Sequence, residues 1–86
     1  MKILHIMRER NDPLALRAVM EAEGGEAEEV AVLLLHDSVL SSLPEGIAAY
    51  ACSDDVEARG IGVPYPTLNY DEIVGLLFRY DSVITW

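Results

Sequence analysis

Residues 29–35 read EVAVLLL, six apolar residues in a row behind one glutamate. A strand with one face in water alternates apolar and polar side chains, and this one does not. It therefore reads as a strand buried on both faces, the pattern of a parallel sheet covered by helices. The chain opens the same way: KILHIM (2–7) is apolar at nearly every position. IAAYAC (47–52) reads as a third strand and SVITW (82–86) as the last.

Helical segments separate these strands. Asp12 is placed to cap a helix with Pro13 at its first position. Leu16, Val19, Met20 and Glu23 follow at helical spacing, and Gly24-Gly25 is expected to end the helix through left-handed backbone. HDSVLSSLPEG is a loop with one helical turn, stopped near Pro44. A helix starting at Ser53 or Asp54 stops at Gly60, with Arg59 complementing its carbonyl end. Pro64 and Pro66 leave room for only a short strand in IGVPYPTLN. Asn69 and Glu72 have the spacing of a capping box for the helix YDEIVGLLFRY. Strands and helices in this order predict a parallel sheet with helices on its faces.

Eighty-six residues make one small domain, which buries only about 60–65% of the surface its unfolded chain exposes. Yet 51% of the residues are hydrophobic, so part of the apolar surface is expected to lie against a partner subunit. Candidates are the broad stripe Ile73, Val74, Leu76, Leu77 and Phe78 and the aromatics Tyr50, Tyr65, Tyr70, Tyr80 and Trp86, each weighed against a role in the core. Fifteen acidic and six basic residues give a net charge of −9. That balance repels a phosphate backbone and argues against direct nucleic-acid binding. The single cysteine excludes an internal disulfide and suits a reducing compartment. MKILHIM lacks the run and cleavage site of a secretory signal. VAVLLL and IVGLLF fall far short of the ~20 residues that cross a bilayer, so a cytoplasmic protein without a membrane partner is expected.

Three segments, ILHIMRERND, VLLLHDSV and YACSDDVEARGI, resemble in this order the DsrE/DsrF/DsrH-like sulfur-relay family, which includes the Tus subunits of tRNA 2-thiouridine synthesis. The chain length and closing tryptophan look most like the short DsrH/TusB branch. The resemblance implies a three-layer α/β/α domain around a five-stranded parallel sheet of order 4-3-2-1-5. It also implies homo- or hetero-oligomers of related small subunits that pass persulfide sulfur from donor to acceptor proteins, for tRNA modification or sulfur oxidation, with no cofactor. In the DsrE/TusD branch the sulfur-carrying cysteine precedes an Arg-Gly pair by the interval that separates Cys52 from Arg59-Gly60. That branch usually has small apolar residues and a second arginine here, where this chain has Asp54, Asp55 and Ala58. DsrH/TusB-type subunits commonly act as partners without a cysteine at this position.

Cys52 ends the third strand, and ligands of open parallel sheets bind beyond the carboxyl ends of the strands. The amides of the following helix, from Ser53 on, favour an anion such as a thiolate, whereas Asp54 and Asp55 repel one. The alternative for Cys52 is a small buried hydrophobe. His36 and Asp37 follow the second strand on the same edge. His36 would hydrogen-bond the thiol or its persulfide with Asp37 orienting the ring; alternatively His36 is a solvated loop residue and Asp37 caps the turn at Ser38. Arg8 and Arg10, just past the first strand, would hold an anionic sulfur species or a partner's carboxylate, or else pair with surface acids. His5 reads as a satisfied core histidine. His5, His36 and Cys52 lack metal-ligand spacing. GIGV (60–63) is a poor dinucleotide motif, and no Gly-Lys-Ser phosphate loop occurs. Three readings follow: a persulfide carrier, a non-catalytic subunit of a relay complex, and a small-ligand module using Arg8, Arg10 and His36.

Overall fold

The strand that opened the reading, β2 (Glu29–Leu34), is buried from Val30 to Leu34 and lies inside the sheet. A computed structural model describes residues 1–25 and 29–86. Its other strands are β1 (Lys2–Met7), β3 (Ala48–Cys52), β4 (Thr67–Leu68) and β5 (Ser82–Thr85). The described residues form a five-stranded sheet of order β4-β3-β2-β1-β5, with every pairing parallel. In register, Ile3 to Met7 of β1 face Val30 to Leu34 of β2, and Ala31 to Leu34 face Ala48 to Ala51 of β3.

Alternation along β2 sends its side chains to two separate cores. Val30, Val32 and Leu34 join Met7, Ala49 and Ala51 on one face, under α1 (Pro13–Glu23) and Val56 of α2 (Ser53–Ala58). Ala31 and Leu33 join Leu4 on the other face, under Leu76 of α3 (Tyr70–Phe78). Helices thus cover both sides, which is why β2 has no polar side to show. Burying a leucine such as Leu33 contributes about 1.5–3 kcal/mol.

The helix starts follow the residues that announced them. Asp12 Oδ1 accepts from the amides of Leu14 and Ala15 at 3.0 and 3.3 Å, with Pro13 opening α1. Asn69 and Glu72 form the reciprocal capping box of α3 at 2.9 and 3.0 Å. Gly60, at φ +60°, turns the chain away from α2 in the left-handed region that suits glycine. A 3₁₀ turn, His36–Leu40, supplies the single turn expected after β2.

Four details differ from the sequence reading. β2 stops at Leu34 and β3 starts at Ala48, one residue short of each predicted end. Gly24 closes α1 in right-handed backbone, its amide donating to the Met20 carbonyl at 3.3 Å and that of Gly25 to the Ala22 carbonyl at 3.1 Å, so no left-handed residue is needed there. The inward face of α1 is Ala15 and Val19 with Leu16 and Ala22 beside them, while Met20 and Glu23 face outward. His5 is only half satisfied. Its Nδ1 accepts from Trp86 Nε1 at 3.1 Å, and its buried Nε2 has no partner among the described residues. The other aromatics divide: Tyr50, Tyr65, Tyr80 and Trp86 pack against the cores, whereas Tyr70 and Phe78 stand exposed. Among the described residues, no helix is long and apolar enough to cross a membrane.

Candidate functional site at the carboxyl edge

Parallel strands place all their carboxyl ends on one rim, and Cys52 is the last residue of β3 on that rim. It also holds the cap position of α2, in extended backbone, and its side chain makes no capping bond. Cys52 as a residue is half-buried, and its thiol has no hydrogen-bond partner among the described residues. Ser53, the first residue of α2, is likewise half-buried beside it.

A charged knot next to Cys52 joins the 3₁₀ turn to α2. Arg59 donates to Asp37 Oδ1 from Nε at 3.2 Å and from Nη2 at 2.8 Å. Its Nη1 donates to the Asp55 carbonyl at 3.1 Å, satisfying a free carbonyl at the end of α2, and lies 3.6 Å from Asp55 Oδ1. Asp55 reaches across to accept from the His36 amide at 2.8 Å. His36 itself sits at φ +53°, a conformation uncommon for a side-chain-bearing residue. The Asp55 carboxylate meets that exposed amide directly, and the His36 ring lies 3.9 Å from the same carboxylate.

His36 and Asp37 lie past β2 on the carboxyl edge, as the sequence suggested, but their partners are Asp55 and Arg59. Asp37 holds Arg59 and not the imidazole, and His36 faces Asp55. Among the described residues, no hydrogen bond links His36 to Cys52. Asp55 is the member that sequence reasoning missed in this role. Its spacing of four from Arg59 on one helix face was the available signal.

The arginines after β1 lie farther along the rim. Arg8 Nε donates to the Trp86 carbonyl at 2.8 Å, fastening the end of β1 to the last residue of the chain. Arg10 is exposed and unpaired among the described residues. Buried Ser38 ties the 3₁₀ turn to β1, its Oγ donating toward the Met7 and Leu35 carbonyls at 2.7 and 2.6 Å. Asn11, at φ +51°, accepts from the Ser42 amide at 3.0 Å while its own amide donates to Ser41 Oγ at 2.8 Å.

The rim is thus a braced platform around one unengaged sulfur. Of the carboxylates near it, Asp37 and Asp55 are held by Arg59 and the His36 amide, whereas Asp54 is exposed and unpaired among the described residues. Among the described residues, no three His, Cys, Asp or Glu side chains gather as metal ligands. No protein-family model matches the chain, and no curated protein matches it.

Proposed function

We propose that this chain is a subunit of an intracellular sulfur-relay system, with Cys52 carrying sulfur as a persulfide within an oligomer of small related subunits. The observation that supports this reading most is Cys52 itself, a half-buried residue at the strand-to-helix junction of the sheet's carboxyl rim whose thiol is unengaged among the described residues. In loading, the Cys52 thiolate attacks the outer sulfur of a donor protein's persulfide. The donor's S–S bond breaks, the donor leaves as a thiolate, and the new S–S bond retains one sulfur on Cys52. An acceptor thiolate reverses the roles and regenerates Cys52. Ser53 and the first amides of α2 lie beside the charged sulfur, and Arg59 is a positioning residue that fixes α2 against the 3₁₀ turn. The sulfur's destination is either tRNA 2-thiouridine or sulfur oxidation. Incubation with a cysteine desulfurase and cysteine should add one sulfur to the intact mass. Absence of the adduct, or its persistence in Cys52→Ser, would eliminate the carrier role.

A second reading, a non-catalytic partner subunit, is favoured by a different observation. Phe78 is 86% exposed and Tyr70 76%, large apolar rings at the two ends of α3 in a chain with little core to spare. The two readings share the oligomer and differ in whether sulfur loads. The small-ligand reading at Arg8, Arg10 and His36 has less support, because Arg8 is engaged by the Trp86 carbonyl and His36 by Asp55.

A further inference from the structure

The opposite end of the sheet holds a cavity that the sulfur chemistry does not use. Lys2 and Glu29 begin β1 and β2, Tyr50 projects from β3, and Arg79 and Tyr80 follow α3; together they line about 190 Å³. That is room for several water molecules or one small organic molecule. The wall is anchored from behind: the Asp81 amide donates to the Lys2 carbonyl at 2.9 Å, and Asp81 Oδ2 accepts from the Lys2 amide at 2.8 Å.

Its polar groups are under-used. In a chain with fifteen acids and six bases, a lysine or arginine readily finds a carboxylate, yet Arg79 makes no ion pair among the described residues. Lys2 Nζ stands 3.9 Å from Glu29 Oε2, at the outer limit of pairing. Tyr80 donates to Glu29 Oε1 over a long 3.4 Å. The Tyr50 hydroxyl has no hydrogen-bond partner among the described residues. Burial, then the Glu29 carboxylate, pushes the Tyr80 phenol up to about 12, so it remains a hydrogen-bond donor at physiological pH.

The lining therefore carries two cations, one carboxylate and two phenols. A simple anion would meet Glu29 and a simple amine would meet Lys2 and Arg79. A molecule bearing both charges meets neither objection. We infer that this cavity binds a small zwitterion of the α-amino-acid class, its carboxylate on Arg79 and Lys2, its ammonium on Glu29, and the two tyrosines bracketing it. At about 190 Å³ the cavity is too small to enclose a nucleotide, and a ligand of so few atoms binds in the millimolar range.

The test is a titration of the full chain with L-alanine up to about 50 mM, at constant ionic strength, followed residue by residue in amide proton–nitrogen correlation spectra. Saturable shifts are expected at Lys2, Glu29, Tyr50, Arg79 and Tyr80, weakened about tenfold by Arg79→Ala. Propionate and ethylamine, each carrying one of the two charges, should bind about tenfold more weakly than L-alanine. Glu29→Gln should weaken L-alanine while strengthening propionate, a reversal that general loss of structure does not produce. The spectra themselves report whether each variant is folded. Unsaturable or absent shifts with L-alanine, propionate binding equal to L-alanine, or an unchanged Arg79→Ala affinity would overturn the inference. Because the probe and variants lie away from Cys52, the result is independent of sulfur loading.

Discussion

Replacing Arg59 by alanine should loosen the whole rim around Cys52, and the size of the effect can be built from its contacts. The paired bonds to Asp37 involve a carboxylate 69% exposed, so solvent screening leaves about 0.5 kcal/mol. The bond to the Asp55 carbonyl comes from a guanidinium 25% exposed and contributes about 1 kcal/mol. Asp55 then loses its nearby cation while only 21% exposed, which costs about 0.5 kcal/mol more. The sum is about 2 kcal/mol, a sizeable share of the roughly 4–13 kcal/mol that a domain of this length commands. Urea unfolding followed by fluorescence of Trp86, the single tryptophan, measures it directly. Arg59→Lys keeps a charge but not the fork, and should lose about half as much. Only the ion-pair share should shrink at about 1 M salt, where the Debye length is about 3 Å. A loss below about 0.5 kcal/mol for Arg59→Ala would mean that the knot does not brace the rim.

Other consequences concern pH, capping and assembly. Burial lowers the His5 pKa from its ordinary 6.5, so the unfolded chain binds that proton first as pH falls. The stability that neutral His5 contributes is therefore complete above about pH 6.5 and declines below it until the folded pKa is passed. The unfolding free energy of wild type minus that of His5→Leu should fall over this window, and a flat difference would count against a buried neutral His5. Asn69→Ala removes one arm of the capping box and should cost about 0.5–2 kcal/mol, with faster amide exchange at Glu72; unaltered exchange there would be inconsistent with the cap. Phe78→Glu should shift sedimentation toward the monomer, weakening association on the order of tenfold to a hundredfold from the lost ring burial. Unchanged sedimentation would count against α3 as a contact of the proposed assembly.

The sheet was legible because its residues are nearly all of one kind. EVAVLLL and KILHIM have no polar face to offer water, and Asp12-Pro13 and Asn69 with Glu72 mark helix starts by local bonds that need no distant partner. The strand order came from the resemblance to a relay family, and the parallel pairing of β4-β3-β2-β1-β5 agrees with it. The rim was harder to read. Arg59 was placed at the carbonyl end of α2, where it does donate to the Asp55 carbonyl, but His36 and Asp37 were read as partners of Cys52, and charges choose partners by geometry that spacing does not disclose. Arg59 took Asp37, and the left-handed turn at His36 presented its amide to Asp55, with the ring 3.9 Å from the same carboxylate. The His5–Trp86 contact was hidden for the same reason, since it joins residues 81 positions apart. Spacing alone grouped Met20 with Leu16 and Val19, whereas Met20 is exposed and the small Ala15, one turn before Val19, occupies the helix–sheet contact.

Peptide mass mapping of the chain after exposure to a protein persulfide donor asks the functional question without intermediaries. One added sulfur on the peptide containing Cys52, removed by a thiol reductant and lost in Cys52→Ser, is the outcome expected of a carrier. A chain that stays at its original mass beside a loaded, active donor would contradict it, leaving assembly as the role of this fold.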